Sequence, residues 1–262
     1  MADLQTREFY RRGPRHQLGE AATFLSIRKR FQFRSIQIGR WVSESEKQHS
    51  APLFYDALCD LMTILGGNEM LISLRGSLAL QYGCGGQPGV SAHYEMATRS
   101  FALAKNAGPG SIAHEWFHAF DHYICDKLFL EVGQESFASC AWLKDHECIK
   151  HPINQALQDC YQAILLNEAG TEPSDYFKRS HIMDKQTGSF YFSQPEELCA
   201  RAFEAFVQDA SIKNNFLVKG TKQSEEAKLG LYPQGEHRDK IVRVFTAYFS
   251  RLGASLKRQL QT

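Results

Sequence analysis

His114-Glu115-Trp116-Phe117-His118 is the stretch on which the reading of this chain turns. On a helix, residues four apart project from one face, so the two imidazoles can share a single Zn²⁺ ion. Glu115 lies about 100° further round. From there it can take a proton from a zinc-activated water without ligating the metal. The spacing predicts a zinc-dependent hydrolase, with peptide bonds the leading substrate. Five residues also fit an amphipathic helix with incidental polar side chains, so the flanks have to decide.

The flanks favour the metal. Gly108-Pro109-Gly110-Ser111 precedes the motif, and Ser111 reads as an N-cap. With His114 at the origin of a helical wheel, His118 falls at about 40°, Asp121 at about 340° and Cys125 at about 20°. Trp116, Phe117, Phe120, Tyr123 and Ile124 fill the arc from about 180° to 300°. The helix thus has a broad apolar back and a narrow polar stripe. Asp121, one turn beyond His118, can accept the free ring N–H of a ligating histidine; an ordinary helix-surface acid reads equally well. His122 is rejected as a third ligand, because eight residues span about 12 Å of unbroken helix. No glycine between His114 and Tyr123 breaks it.

A catalytic zinc needs three protein ligands and one open position. The best donor is the segment from Pro195 to Asp209, which starts with proline and carries acids in its first turn. Glu197, Arg201, Glu204 and Gln208 form a stripe about 60° wide, and nearly all the rest is apolar. A helix apolar nearly all round is a buried helix, and a buried Glu-Arg-Glu stripe needs partners. Glu197 is the chosen ligand. Arg201 and Glu204 are placed around it, pairing with each other, or with Arg201 polarising a substrate carbonyl. A purely structural Glu-Arg pair is the competing reading. Glu196 lies some 100° off the stripe and is the weaker candidate.

Composition is that of an ordinary globular protein, 43% hydrophobic and 23% charged over 262 residues. No apolar run is long enough to span a membrane, and the first residues lack a signal peptide's apolar core. Seven cysteines without paired spacing point to reduced thiols in a cytoplasm, with Cys59, Cys125 and Cys199 as core residues. Net charge is +1, yet residues 1–40 hold nine Lys or Arg against Asp3, Glu8 and Glu20. That segment offers a contact for nucleic acid or an acidic partner, although a solvated basic face is the commoner outcome.

Element by element, the pattern predicts a helix over 17–30, a strand over 36–42 and a second helix starting near Pro52 and ended by Gly66-Gly67. A glycine-rich turn over 83–89 leads into a long extended segment over 91–105, then the motif helix. Residues 154–166 read as helix, 168–194 as mostly irregular and 236–261 as helix. The expected class is α+β, mostly helical with a small mixed sheet beside the motif helix. Residues 1–35 form a basic N-terminal segment and 36–262 one domain. Gly83 to Lys105, with His93, Tyr94 and Glu95, is the candidate edge along which a peptide substrate binds as an added strand.

The chain resembles a known group through Ile38-Gly-Arg-Trp-Val42, Ala92-His-Tyr-Glu95, Gly110-Ser-Ile-Ala-His-Glu-Trp-Phe-His-Ala-Phe-Asp121, Glu197-Leu-Cys-Ala-Arg-Ala-Phe-Glu-Ala-Phe206 and Tyr232-Pro-Gln-Gly-Glu236. These resemble the zincin-like metallopeptidase domain of large polyvalent proteins of phages and conjugative elements, and the related CLCA_X family of stand-alone bacterial proteins. The resemblance implies a zincin-like fold, His114, His118 and Glu115 in their usual roles, and remaining acidic groups from the Glu197–Phe206 helix. Phe117 stands where the pattern often has glycine, but it points away from the metal stripe.

The leading expectation is a gluzincin-like zinc metallopeptidase. Zn²⁺ sits on His114, His118 and Glu197, Glu115 is the general base, and Arg201, Tyr94 or His93 are candidates for the oxyanion. Two alternatives stand beside it: a binding module of mobile-element origin that keeps the fold without turnover, and a nucleic-acid-associated protein using the basic N-terminal segment.

Overall fold

The computed structural model describes residues 9–17, 19–84, 92–105, 110–133 and 136–259. Arg7 of the basic segment, Gly108-Pro109 of the motif flank, most of the 83–89 turn and Ser91 lie outside them. The protein is α+β, mostly helical, with a small mixed sheet. Its chain falls into two compact units, one of residues 1–119, 210–219 and 253–262, the other of 120–209 and 220–252.

In the first unit, β1 (Arg11–Arg12) is followed by α1 (Phe24–Phe31). This helix starts later than the periodicity predicts, because Thr23 and Ser26 cap each other's backbone N–H and fix its first turn. β2 (Ser35–Ile38) follows, then α2 (Glu44–Ile64). α2 starts well before Pro52, which lies inside it. The cause is a capping box: Ser43 Oγ accepts from Glu46 N at 3.2 Å and Glu46 Oε2 accepts from Ser43 N at 2.6 Å. Its end falls where the sequence places it, with Gly66 at φ +60° just beyond.

α3 (Glu69–Ile72) and β3 (Ala79–Tyr82) come next, neither expected from the sequence. The segment read as one long extended stretch folds back on itself as β4 (Ala92–Glu95) and β5 (Ser100–Leu103), paired antiparallel. Its turn, Met96 to Arg99, carries none of the usual Gly or Pro markers and uses Arg99 at φ +42° instead. The sheet order is β2-β3-β5-β4, parallel except at β4. β2 stops at Ile38 rather than reaching Val42. Gly39 N donates to Tyr82 O at 2.8 Å, and a Cβ on Gly39 would lie 1.9 Å from Gly83 O. α4 (Ser111–Leu128) begins here and runs on into the second unit, and β6 (Lys213–Asn214) pairs antiparallel with β1.

One buried carboxylate ties this unit together. Asp60, on α2 and fully buried, accepts from Arg11 Nε at 2.7 Å and Nη2 at 2.8 Å and from Asn214 Nδ2 at 2.8 Å. His16 Nε2 lies 2.7 Å away. Phe54 packs nearby against Phe24, Tyr82 and Phe216.

The second unit holds α5 (Ala138–Leu143), α6 (Pro152–Leu165), α7 (Asp175–Thr187), α8 (Pro195–Asp209), α9 (Glu225–Lys228) and most of α10 (Gly235–Gln259). α7 occupies sequence read as irregular. Its signals were present, a Ser174 N-cap bonded to Phe177 N and Gly188 in the left-handed conformation at its end. Phe203, Phe206, Phe245 and Phe249 form a ring cluster, with Phe120 and Tyr248 against Phe249. α8 packs on α5 and α6.

Cys59, Cys125 and Cys199 are buried, as expected of core residues. Burial pushes the Cys59 and Cys125 thiols up to about 12, so both stay protonated at neutral pH. Among the described residues no helix is long and apolar enough to cross a membrane.

Because Asp60 gathers β1, β6 and the N-terminal segment onto α2, Asp60→Ala should lower unfolding stability by about 3 kcal/mol. Urea denaturation checks this, and a loss below about 1 kcal/mol would contradict it.

Candidate metal centre

α4 starts at Ser111 itself, so Ser111 is the first helical residue and not the cap; Gly110, at φ +107°, precedes it. The apolar back is buried over its first three residues, whereas Tyr123 and Ile124 are only half-buried. Trp116 and Phe117 are fully buried, Phe120 nearly so, and Trp116 Nε1 donates to Ile72 O at 3.0 Å. The polar stripe is sheltered too: His118, Glu115 and Asp121 are buried and His114 is half-buried.

His114 Nε2 and His118 Nε2 face each other at 2.9 Å, with ring planes at 77°. One ligand atom each of His114, His118 and Glu197 lie within 4.8 Å of one another. They form the one His, Cys, Asp or Glu group among the described residues with the spacing to hold a metal ion. His122, rejected on the wheel, is outside it and packs edge-on to Phe137 at 6.2 Å.

Asp121, which the sequence places beside the ligating histidines, anchors α4. It is fully buried and accepts from Ser139 N at 3.1 Å, Ser139 Oγ at 2.5 Å and Tyr161 OH at 2.6 Å. These three donors offset the cost of burying its charge.

α8 is a buried helix, as its narrow stripe predicts: every residue from Leu198 to Val207 is buried, Arg201 and Glu204 included. Its two first-turn acids divide their work. Glu196 Oε2 accepts the Cys140 thiol at 2.9 Å, and Glu197 joins the histidines. Arg201 Nη2 donates to Phe192 O, and its guanidinium lies 5.1 Å from the Phe192 ring and 5.7 Å from the Tyr191 ring. Burial alone would lower the Arg201 pKa. The neighbouring Tyr176 hydroxyl and the Glu197 charge outweigh burial and keep the guanidinium charged. Glu204 Oε2 accepts from Tyr232 OH at 3.3 Å. At the far end Arg238, itself buried, bonds Asp209, Thr221 and the Ala205 carbonyl, so α8 is fixed there as well.

His93, Tyr94 and Glu95 lie on β4, the outer strand of the sheet, with His93 and Glu95 exposed and Tyr94 half-buried. In the 168–194 stretch, Tyr176 donates to Leu198 O at 3.1 Å, Tyr191 flanks Arg201, and His181 is exposed.

The residue that the sequence reading missed is Asp184. Near the end of α7, its carboxylate accepts from Ser189 Oγ, Tyr191 N, Phe192 N, Ser193 N and Ser193 Oγ, all between 2.6 and 3.1 Å. These bonds shape the loop that presents Phe192 O to Arg201. No local signal marks this role, because the five donors lie five to nine residues on.

Residues 183–256 match the family model of large polyvalent protein-associated domain 1, which supports the large polyvalent protein family over that stretch. The match takes in Asp184, Glu197, Arg201 and Arg238 and leaves His114 to His118 outside. Neither a curated protein nor a solved structure matches the chain.

Burial would raise the Asp184 pKa, but hydrogen bonds from Ser193, Phe192 and Ser189 outweigh it and hold the carboxyl well below the usual range. A depressed folded-state pKa adds stability that is present at neutral pH. It drains away as pH falls below about 4 toward the folded pKa. Asp184→Asn sets an amide NH₂ against the Ser193 N–H and should cost about 1.5–3 kcal/mol at pH 7. The difference from the wild type should shrink in acid, as thermal melts at pH 7 and pH 3 would report. A gap that stays constant with pH would contradict the assignment.

Proposed function

We propose that this protein is a zinc-dependent metallopeptidase, with His114, His118 and Glu197 holding the ion and Glu115 as general base. The observation that carries the reading is the approach of one donor atom from each of those three residues to within 4.8 Å of the others. Two imidazoles and a carboxylate, with a fourth position left for water, are a donor set used by catalytic zinc. Zinc–ligand bonds of about 2.0–2.2 Å put tetrahedral donors about 3.3–3.5 Å apart. The two imidazole nitrogens, 2.9 Å apart, need only a few tenths of an ångström of relaxation to meet that spacing. The residues fit the ion.

The chemistry that zinc supplies when bound is Lewis acidity, which lowers the pKa of water toward about 7 and polarises a carbonyl. The rest falls to this chain. Glu115 is buried beside His114 on a helix whose apolar back is locked in the core, so its place along the helix is fixed relative to the two histidines. It accepts the proton of the attacking water and passes it to the departing amine. β4 ends the sheet, so its outer backbone edge suits an extended peptide bound as a further strand. His93 and Glu95, exposed on that strand, would meet its side chains.

A binding module that keeps the metal without turnover is the second reading. It is favoured by the family match, which takes in the Glu197 helix and no part of the His114–His118 motif. In the basic segment Arg11 is bound to Asp60 and Arg30 to Tyr55 and Glu69, while Arg12, Arg15, Lys29 and Arg40 are exposed, so the nucleic-acid reading keeps part of its basic surface.

Metal analysis of the purified chain should find about one zinc per molecule, and His114→Ala should lose it. Glu115→Gln should retain the zinc and cleave an unstructured protein substrate at least 100-fold more slowly. Zinc retained by His114→Ala would sink the site. Equal cleavage by Glu115→Gln and the wild type would remove Glu115 as base, and no cleavage by a zinc-loaded wild type would leave the binding module.

A further inference from the structure

The first histidine of the metal helix lies close to that helix's start: Ser111 is the first helical residue of α4 and His114 the fourth. The opening N–H groups of a helix have no acceptor within it, and a first turn frays unless something outside holds it. Here the outside hold is visible. Ala113 N donates to Leu217 O at 3.3 Å, one residue before His114, whose own N–H reaches Gly110 O at 3.4 Å.

Leu217 is placed in turn by Asn214, which is buried on β6. Asn214 Oδ1 accepts from Phe216 N at 2.9 Å and Leu217 N at 3.1 Å, and its backbone carbonyl accepts from Val218 N at 3.0 Å. The side chain thus folds its own following residues into a turn. Its other end, Nδ2, donates to Asp60 Oδ2 at 2.8 Å. The reverse orientation would set NH₂ against two N–H groups and an oxygen against a carboxylate, so the amide is fixed. Asp60 is held by Arg11 and His16 from the N-terminal segment, and Phe216 packs edge-on to Phe9 and Phe54 at 5.0 and 5.1 Å. All these residues belong to the first unit, as do His114 and His118. Hydrogen bonds therefore run in series from Asp60 to Asn214, from Asn214 to Leu217 and from Leu217 to the turn that carries His114.

We propose that Asn214 is a positioning residue for the metal: anchored on Asp60, it folds residues 214–217 into a turn whose Leu217 carbonyl holds the first turn of α4, and so keeps the backbone of His114 in phase with His118. This rests on the metal reading and deepens it, because it assigns the hold on the first donor to residues that touch neither ion nor substrate. It also gives Arg11 of the basic N-terminal segment an inward task, balancing the Asp60 charge on which Asn214 is anchored. A first turn that opens part of the time presents His114 only part of the time, and the apparent affinity for zinc falls by that fraction.

The test joins two measurements on the full chain: zinc affinity, by competition with a chelating indicator dye, and amide hydrogen exchange read residue by residue in the zinc-free protein. Asn214→Ala removes both the turn's acceptor and the amide, and should weaken zinc binding by about 3- to 10-fold. Exchange should quicken at Ala113 and His114 more than from Phe120 to Leu128. Asn214→Asp keeps the acceptor but sets a carboxylate against Asp60, and should weaken binding by a similar factor. Adding Asp60→Asn to it restores one amide facing one carboxylate, and should tighten binding again by about 3-fold. An Asn214→Ala protein that binds zinc as tightly as wild type overturns the proposal. So does exchange that quickens evenly along α4, which would make Asn214 a prop of the fold alone. If Asn214→Ala does not fold, the Asn214→Asp variants decide, and no recovery on adding Asp60→Asn overturns the proposal. A wild-type chain that takes up no zinc overturns the metal reading and this inference with it, whereas a zinc-binding wild type with unaffected Asn214 variants overturns the inference alone.

Discussion

The burial of α8 sets the terms for the rest of the second unit. Ten consecutive residues, from Leu198 to Val207, have no appreciable solvent exposure, and two of them are charged. A charge removed from water must find partners inside the protein or neutralise itself. Much of the surrounding structure supplies those partners. The 189–193 loop gives Arg201 a carbonyl and two ring faces, Tyr232 reaches Glu204, and Arg238 closes the C-terminal turn. Remove the charges and those partners have nothing to converge on.

The same constraint recurs elsewhere in the chain. Asp60, Asp121 and Asp184 are each buried, and each gathers donors from distant segments or an irregular loop. Asp60 reaches Asn214 across 154 residues, Asp121 reaches Tyr161 across 40, and Asp184 collects a loop five to nine residues on. These carboxylates work as junctions: a single buried acid with three to five donors can hold a segment that has little apolar surface of its own. The site inherits its rigidity from this arrangement. His114, Glu115 and His118 precede Asp121 on one helix, and Glu197 lies between the loop shaped by Asp184 and the turn held by Arg238.

Much of the site was legible because its information is local. His114, Glu115 and His118 are fixed relative to one another by helix geometry, and the stripe on α8 follows from the same 100° step. Burial of α8 was readable from the narrowness of that stripe. The boundaries were less legible, and each miss has a physical cause. Pro52 read as a helix start, although Ser43 and Glu46 cap each other nine and six residues earlier. The 91–105 stretch lacked Gly or Pro at its turn, so the hairpin was hidden until Arg99 took the left-handed conformation. α7 is masked by its polar sequence despite Ser174 and Gly188 at its ends.

By itself, the amino-acid sequence determined which residues carry donor atoms, which face of each helix they share, and that α8 has to be buried. Those properties depend on spacing along a regular backbone, and spacing is written in the chain. Only the tertiary structure decided what the other acids do, Glu196 beside a thiol and Asp121 and Asp184 as anchors. Those outcomes depend on partners many residues away: Cys140 for Glu196, Ser139 and Tyr161 for Asp121, the 189–193 loop for Asp184. A hydrogen bond acts only over about 3 Å, and no pattern of nearby residues says which distant segments will come that close.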